Sequence, residues 1–123
     1  MIRTALFVIL AGTGAQAEQV NCRAADITNA ERTLCAEGSW RQAGAAMERA
    51  LAGALADADG FDPAMAVALN DAQGRWVAFR DGECAAEAML GEGGSMTALL
   101  QYYCLARLTQ ARTDDLTRIF DGG

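Results

Sequence analysis

The chain contains no histidine and no lysine. Without an imidazole it cannot assemble Ser-His or Cys-His nucleophile systems, and it lacks the usual proton shuttle near neutral pH. All ten basic residues are Arg and they face 16 acids, for a formal net charge of −6. Such a surface disfavours DNA, RNA and anionic lipid, whose binding relies on clustered Lys and Arg. There is no Cys-x-x-Cys pair, and the missing His removes the other common zinc ligand, so no metal site and no cofactor are expected. Beyond residue 17 no apolar run approaches the roughly 20 residues needed to span a bilayer, and no stretch alternates apolar and polar residues as a half-buried strand would.

What is present begins with an export signal. Residues 1–17 combine a basic start at Arg3, an apolar run through Leu6-Phe7-Val8-Ile9-Leu10, and Ala15-Gln16-Ala17 as a small-x-small cleavage site. The run is too short to cross a membrane, and Cys22 lies five residues past the predicted cut, away from the position a lipid anchor requires. The expected mature chain is residues 18–123, periplasmic or secreted. Removing 17 of 123 residues leaves 106, enough for one compact domain. Loss of Arg3 takes the net charge to about −7, which favours a cationic partner.

Four cysteines, Cys22, Cys35, Cys84 and Cys104, fall in the mature part at spacings of 13, 49 and 20. An even number in an exported chain predicts two disulfides. The helical reading below leaves the pairing open, since both Cys35–Cys84 and Cys84–Cys104 come within reach. Cys35–Cys84 with Cys22–Cys104 is preferred because it ties all three helices together.

Three helical patterns follow one another. The first starts at Thr28, where Glu31 completes a capping box, and runs to about Ala58. Trp40, Gly44, Met47, Leu51, Ala54 and Ala58 step by 4 and 3 along it, whereas Ile27, Ala30 and Leu34 are out of phase. Gly38-Ser39 sits at the phase change and Ser39 with Gln42 forms a second capping box, which predicts a kink or break there. The second helix opens with Asp62 as N-cap and Pro63 at its first position. Its stripe is Met65, Leu69, Ala72, Trp76, Phe79, Glu83, Ala86 and Leu90, with Glu83 the one polar interruption. Gly91-Glu92-Gly93-Gly94-Ser95 ends it, with Ser95 capping a third helix from about Met96 to Phe120. Short connections make an antiparallel three-helix bundle the expected fold, all-α and stapled by two disulfides.

Few residues carry recognisable chemistry. Trp76 and Phe79 read as core aromatics, Arg80 and Asp81 as a structural polar pair or as recognition residues, and Arg107 and Arg112 as partners for Asp81 and Glu83. Asp57-Ala58-Asp59-Gly60-Phe61-Asp62 departs from an EF-hand loop, because the twelfth position from Asp57 is Ala68 where a bidentate Glu is needed. Turn and N-cap chemistry accounts for it instead. No acid pair stands out as a glycosidase dyad, so a small hydrolase is the least favoured reading and binding is the expected role.

Ala72-Gln73-Gly74-Arg75-Trp76-Val77-Ala78-Phe79-Arg80-Asp81-Gly82-Glu83-Cys84 resembles the A-Q-x-x-W-x-x-(F/Y)-R-D-x-x-C block of the DUF1311 family, also called the lysozyme inhibitor LprI-like N-terminal domain. Gly94-Ser95 resembles its G-S pair, Cys104 its last cysteine, and Thr109, Arg112 and Leu116 its T-x-x-R-x-x-x-L ending. Cys22 and Cys35 bracket an Ala/Thr/Glu-rich segment as its first two cysteines do. One block departs: Met47-Glu48-Arg49-Ala50-Leu51 stands where the family carries L-N-x-x-Y. The resemblance implies an exported, all-helical, disulfide-bonded domain that binds a protein, with a cationic lysozyme-like enzyme as one such partner. The alternative is a general envelope interaction or structural module without inhibitory activity.

Overall fold

The computed structural model describes residues 19–121. The expected export signal and its cleavage site lie outside them. Three helices account for most of the described chain: α1 (Asn29–Phe61), α2 (Pro63–Ala88) and α3 (Thr97–Arg118), with a single 3-10 turn at Met89–Gly91 and no strand among the described residues. At 1.5 Å per residue, α1 alone is about 50 Å long. None of the helices is long and apolar enough to cross a membrane.

Local chemistry sets the helix ends. Thr28 Oγ1 accepts from the Glu31 N–H while Glu31 Oε1 accepts from the Thr28 N–H, both at 3.1 Å. A single residue, Asp62, then turns the chain from α1 into α2. Its own N–H donates to the Ala58 carbonyl at 2.8 Å, and its Oδ1 accepts from the Ala64 N–H at 2.9 Å. Pro63 follows at the first helical position, where its missing N–H costs nothing.

The second connection depends on close backbone approach. Glu92 and Gly93 both take positive φ, 53° and 73°. A side chain on Gly91 would place its Cβ 2.6 Å from the backbone nitrogen and Oγ1 of Thr97, so only glycine fits there. The expected Ser95 cap does not form. The N-cap is Met96, without a side-chain bond. The Thr97 N–H is satisfied instead by the Gly94 carbonyl at 3.2 Å, so the backbone turn does the work of a cap.

Cross-contacts fix the topology. Gln73 meets Met47, Arg112 meets Gln73 and Arg107 meets Glu87, so α2 runs antiparallel to both neighbours. Consequently α1 and α3 are parallel, and Trp40 packs on Tyr102 with ring centroids 5.7 Å apart. α3 packs chiefly on α1, whose inward face is built from Ala36, Ala43, Met47, Ala54 and Ala58. Small side chains let the two axes approach closely.

The core has two parts. Met47, Ala54 and Leu116 form one, with Leu51, Leu69 and Trp76 packed against it. Cys84, Cys104 and Leu105 form the other, against Trp40, Tyr102 and Leu108. Fully burying a side chain such as Leu116 or Leu99 contributes roughly 1.5–3 kcal/mol.

Four more expectations about the fold need correction. First, the cysteines pair Cys22–Cys35 and Cys84–Cys104, with Cα atoms 5.8 and 5.4 Å apart, so the preferred Cys35–Cys84 and Cys22–Cys104 pairs do not form. Each bridge closes a local loop, and α2 is tied to α3 alone. Second, α1 is unbroken through Gly38-Ser39. The phase change was illusory, since Ala36 at 2% exposure continues the inward face while Leu34 at 49% points away. Third, the α2 stripe is rotated. Leu69 and Trp76 do face inward, but Ala72, Phe79, Glu83, Ala86 and Leu90 are exposed. The inward row is Leu69, Gln73, Trp76, Arg80, Cys84 and Ala88, because the Cys84–Cys104 bridge fixes the rotation of α2 about its axis. Fourth, Asp57–Phe61 is helical, so this stretch belongs to α1 and makes no turn or loop.

Candidate functional site

The rotated face of α2 explains what the signature residues do. Counting back from Cys84 by 4, 4 and 3 gives Arg80, Trp76 and Gln73, and all of them meet α3. Two guanidinium groups stand against the Trp76 ring, with the Arg80 carbon 5.1 Å and the Arg112 carbon 5.8 Å from its centroid. Such contacts contribute ~0.5–1 kcal/mol when exposed and ~2 or more when desolvated.

Each guanidinium is held from a second side. Arg80 Nε donates to Asp81 Oδ1 at 3.0 Å, and Nη1 reaches Thr109 Oγ1 at 3.5 Å. Arg112 Nε donates to Gln73 Oε1 at 2.9 Å, and Gln73 Nε2 in turn reaches the Met47 sulfur at 3.6 Å. Gln73 and Thr109 are buried, and the Arg80 side chain is only 12% exposed. The seam therefore links α1, α2 and α3 through polar groups within an otherwise apolar contact. A buried donor left without a partner is costly. Among the described residues Arg112 Nη2 is the one seam atom in that position.

The structure brings together Trp76, Arg80, Asp81, Thr109 and Arg112, and seats Leu116 in the adjoining apolar cluster. It does not gather the rest. Phe79 is 57% exposed on the outer face of α2, and Gly94 and Ser95 belong to the α2–α3 turn. The expected pairing of Arg107 and Arg112 with Asp81 and Glu83 is replaced. Arg107 Nη2 contacts both carboxylate oxygens of Glu87, at 2.8 and 3.0 Å, while Arg112 takes Gln73. The sequence pattern places Met47 on the inward stripe of α1 but gives Gln73 and Glu87 no role. Spacing back from Cys84 would have found Gln73, once Cys84 is known to face α3.

The chemistry available here is orientation and recognition. Cys84, Glu87 and Cys104 place three donor atoms within 4.8 Å, but both sulfurs are spent in the disulfide and cannot act as thiolates. Concave surface is shallow, and one groove reaches the seam at Met47 and Arg80. A groove of about 270 Å³ runs past Trp40, Gly44, Met47, Glu48 and Arg80. Another of about 560 Å³ borders the Cys22–Cys35 bridge, between Val20, Arg23, Leu34 and Gln42. A third, of about 250 Å³, lies between α1 and α3 near their C-terminal ends.

Residues 20–116 match the family model described as lysozyme inhibitor LprI. That span holds all four cysteines and every residue of the polar seam. The chain is also similar to an uncharacterized protein of Rhizobium meliloti (strain 1021), 30% identical over 126 residues, covering 94% of this chain and 90% of the relative. No solved structure matches the chain. On the family match and this near full-length likeness, the chain belongs to the lysozyme inhibitor LprI family.

Proposed function

We propose that the protein is an exported, acidic helical binding domain that inhibits a cationic lysozyme-class muramidase in the cell envelope. The family match over residues 20–116 carries this reading. Two properties of the chain support it. A net charge of −6 speeds encounter with a cationic enzyme and favours the complex. Two disulfides suit an oxidising compartment outside the cytoplasm, in keeping with the export signal expected from the sequence of residues 1–17.

The test is a cell-wall clearing assay at low salt with purified residues 18–123 in molar excess over lysozyme. Slower clearing is expected; unchanged clearing removes the muramidase reading. A second reading, a general envelope interaction module without inhibitory activity, draws on the departure at Met47-Glu48-Arg49-Ala50-Leu51. Met47 is buried and Leu51 packs against the same cluster, so that block differs from the family pattern at the core as well as at exposed Glu48. A stable envelope partner in a cross-linked pull-down, with lysozyme unaffected, would favour it.

A further inference from the structure

The acids are not spread evenly along the bundle. Residues 52–71 and 113–121, where α1 and α3 end and α2 begins, hold seven acids; Asp71 pairs with Arg75 and Asp115 with Arg118, while Asp57, Asp59, Asp62, Asp114 and Asp121 make no ion pair among the described residues. The other described residues, 19–51 and 72–112, hold eight acids and eight Arg. Most of the net charge of the described chain is therefore concentrated at the α1–α2 apex. Helix electrostatics make this placement unfavourable. Asp57 and Asp59 lie near the C-terminus of α1, where the macrodipole is negative, and no basic residue stands in its last turn.

Apolar surface is exposed at the same end. Phe61 is 79% exposed at the apex, and Val67 in the second turn of α2 is 72% exposed. The same end of the bundle holds the 250 Å³ groove between α1 and α3, floored by Gly53 and Ala54, walled by Leu116 and Phe120, and rimmed by Asp57 and Asp121. A Cβ on Gly53 would meet nothing within 4 Å, so the glycine leaves room above the floor.

We infer that this α1–α3 groove with its acidic apex is the docking surface for a cationic protein, receiving an apolar side chain flanked by Arg or Lys. Charge complementarity selects this occupant: the acidic rim attracts cations, while a second copy of the chain would bring like charge onto like charge. The inference rests on the muramidase reading for the identity of the partner and on the geometry for its location.

The experiment compares the affinity of the mature chain for a purified cationic lysozyme at low salt. One variant, Asp57→Asn/Asp59→Asn/Asp121→Asn, removes rim charge; another, Gly53→Leu, fills the groove. Glu83→Gln/Glu92→Gln removes charge at the other end as a control. Affinity should fall by about tenfold or more for the first two and stay at the wild-type value for the control. Equal losses in the control, or wild-type affinity in both apex variants, overturn the inference while leaving inhibition itself standing. Should wild-type protein bind no lysozyme, the muramidase reading fails and the location is decided on a second probe, an Arg-rich peptide carrying one Trp. Backbone amide shifts confined to residues 50–62 and 113–121 sustain the docking surface. Shifts centred elsewhere, no shifts at all, or a dimer formed through the apex in sedimentation overturn it.

Discussion

At one end of the bundle two disulfides, a tight glycine turn and evenly balanced charge hold the chain; at the apex there is no cross-link, and acids crowd around an exposed phenylalanine. The first end shows features that favour the folded state. Cys84 and Cys104 are 0% and 1% exposed, and Arg107 with Glu87 bridges the same two helices beside them. The apex differs in its charge: carboxylates stand at the negative end of α1 with no basic residue in its last turn, whereas exposed apolar side chains occur at both ends, Phe61 and Val67 here and Met89 and Leu90 at the other. Where stability gains nothing from a residue pattern, contact with a partner is the natural explanation, and natural proteins commonly give up some stability at such sites.

Breaking the cross-linked end should have the largest effect. Cys84→Ser is expected to cost ~2–5 kcal/mol, through the lost bridge together with a hydroxyl buried among apolar neighbours. Thermal melting reads this directly, and an unchanged melt would mean the thiols are free. Cys22→Ser should cost less, because Cys22 is exposed and its bridge fastens only the segment ahead of α1. At the apex end of the core, Leu116→Ala should cost ~2–5 kcal/mol in denaturant unfolding. A loss below about 1 kcal/mol would show that this end is loosely packed.

The seam between the two ends gives an intermediate effect. Gln73→Ala strips the Arg112 guanidinium of its acceptor and should cost ~1–3 kcal/mol. Double-mutant analysis with Arg112→Ala should then show coupling, and simple additivity would mean the bond contributes nothing. The apex acids should behave in the opposite sense. Asp57→Asn with Asp59→Asn is expected to raise stability, by ~0.3–1 kcal/mol for each charge removed from the helix terminus, with a melt at low salt as the measurement. Smallest of all, Phe61→Ala should change stability by no more than about 0.5 kcal/mol, as for a surface substitution.

The ends of the helices were easier to read in the sequence than their faces. Thr28 with Glu31 and Asp62 with Pro63 act within three residues of one another, so their caps follow from local chemistry. The orientation of α2 does not. Phe79 and Leu90 look like core residues by spacing, yet the rotation of the helix follows from which cysteine Cys84 meets, a contact 20 residues away. The same dependence hid the seam, because Gln73 and Arg80 fill inward positions that a hydrophobic pattern assigns to apolar side chains. The disulfide pairing was beyond helix counting, since two partners of Cys84 stood equally near. The charge polarity of the bundle was equally hidden, for it emerges only once the ends of α1, α2 and α3 are known to meet.

The division between a holding end and a meeting end is tested most directly on one sample, the Asp57→Asn/Asp59→Asn/Asp121→Asn variant, by measuring its melting temperature and its effect on lysozyme clearing beside wild type. A melting temperature at or above the wild-type value together with lost inhibition is expected. A variant that inhibits as well as wild type, or whose melting temperature falls along with its activity, would contradict that division.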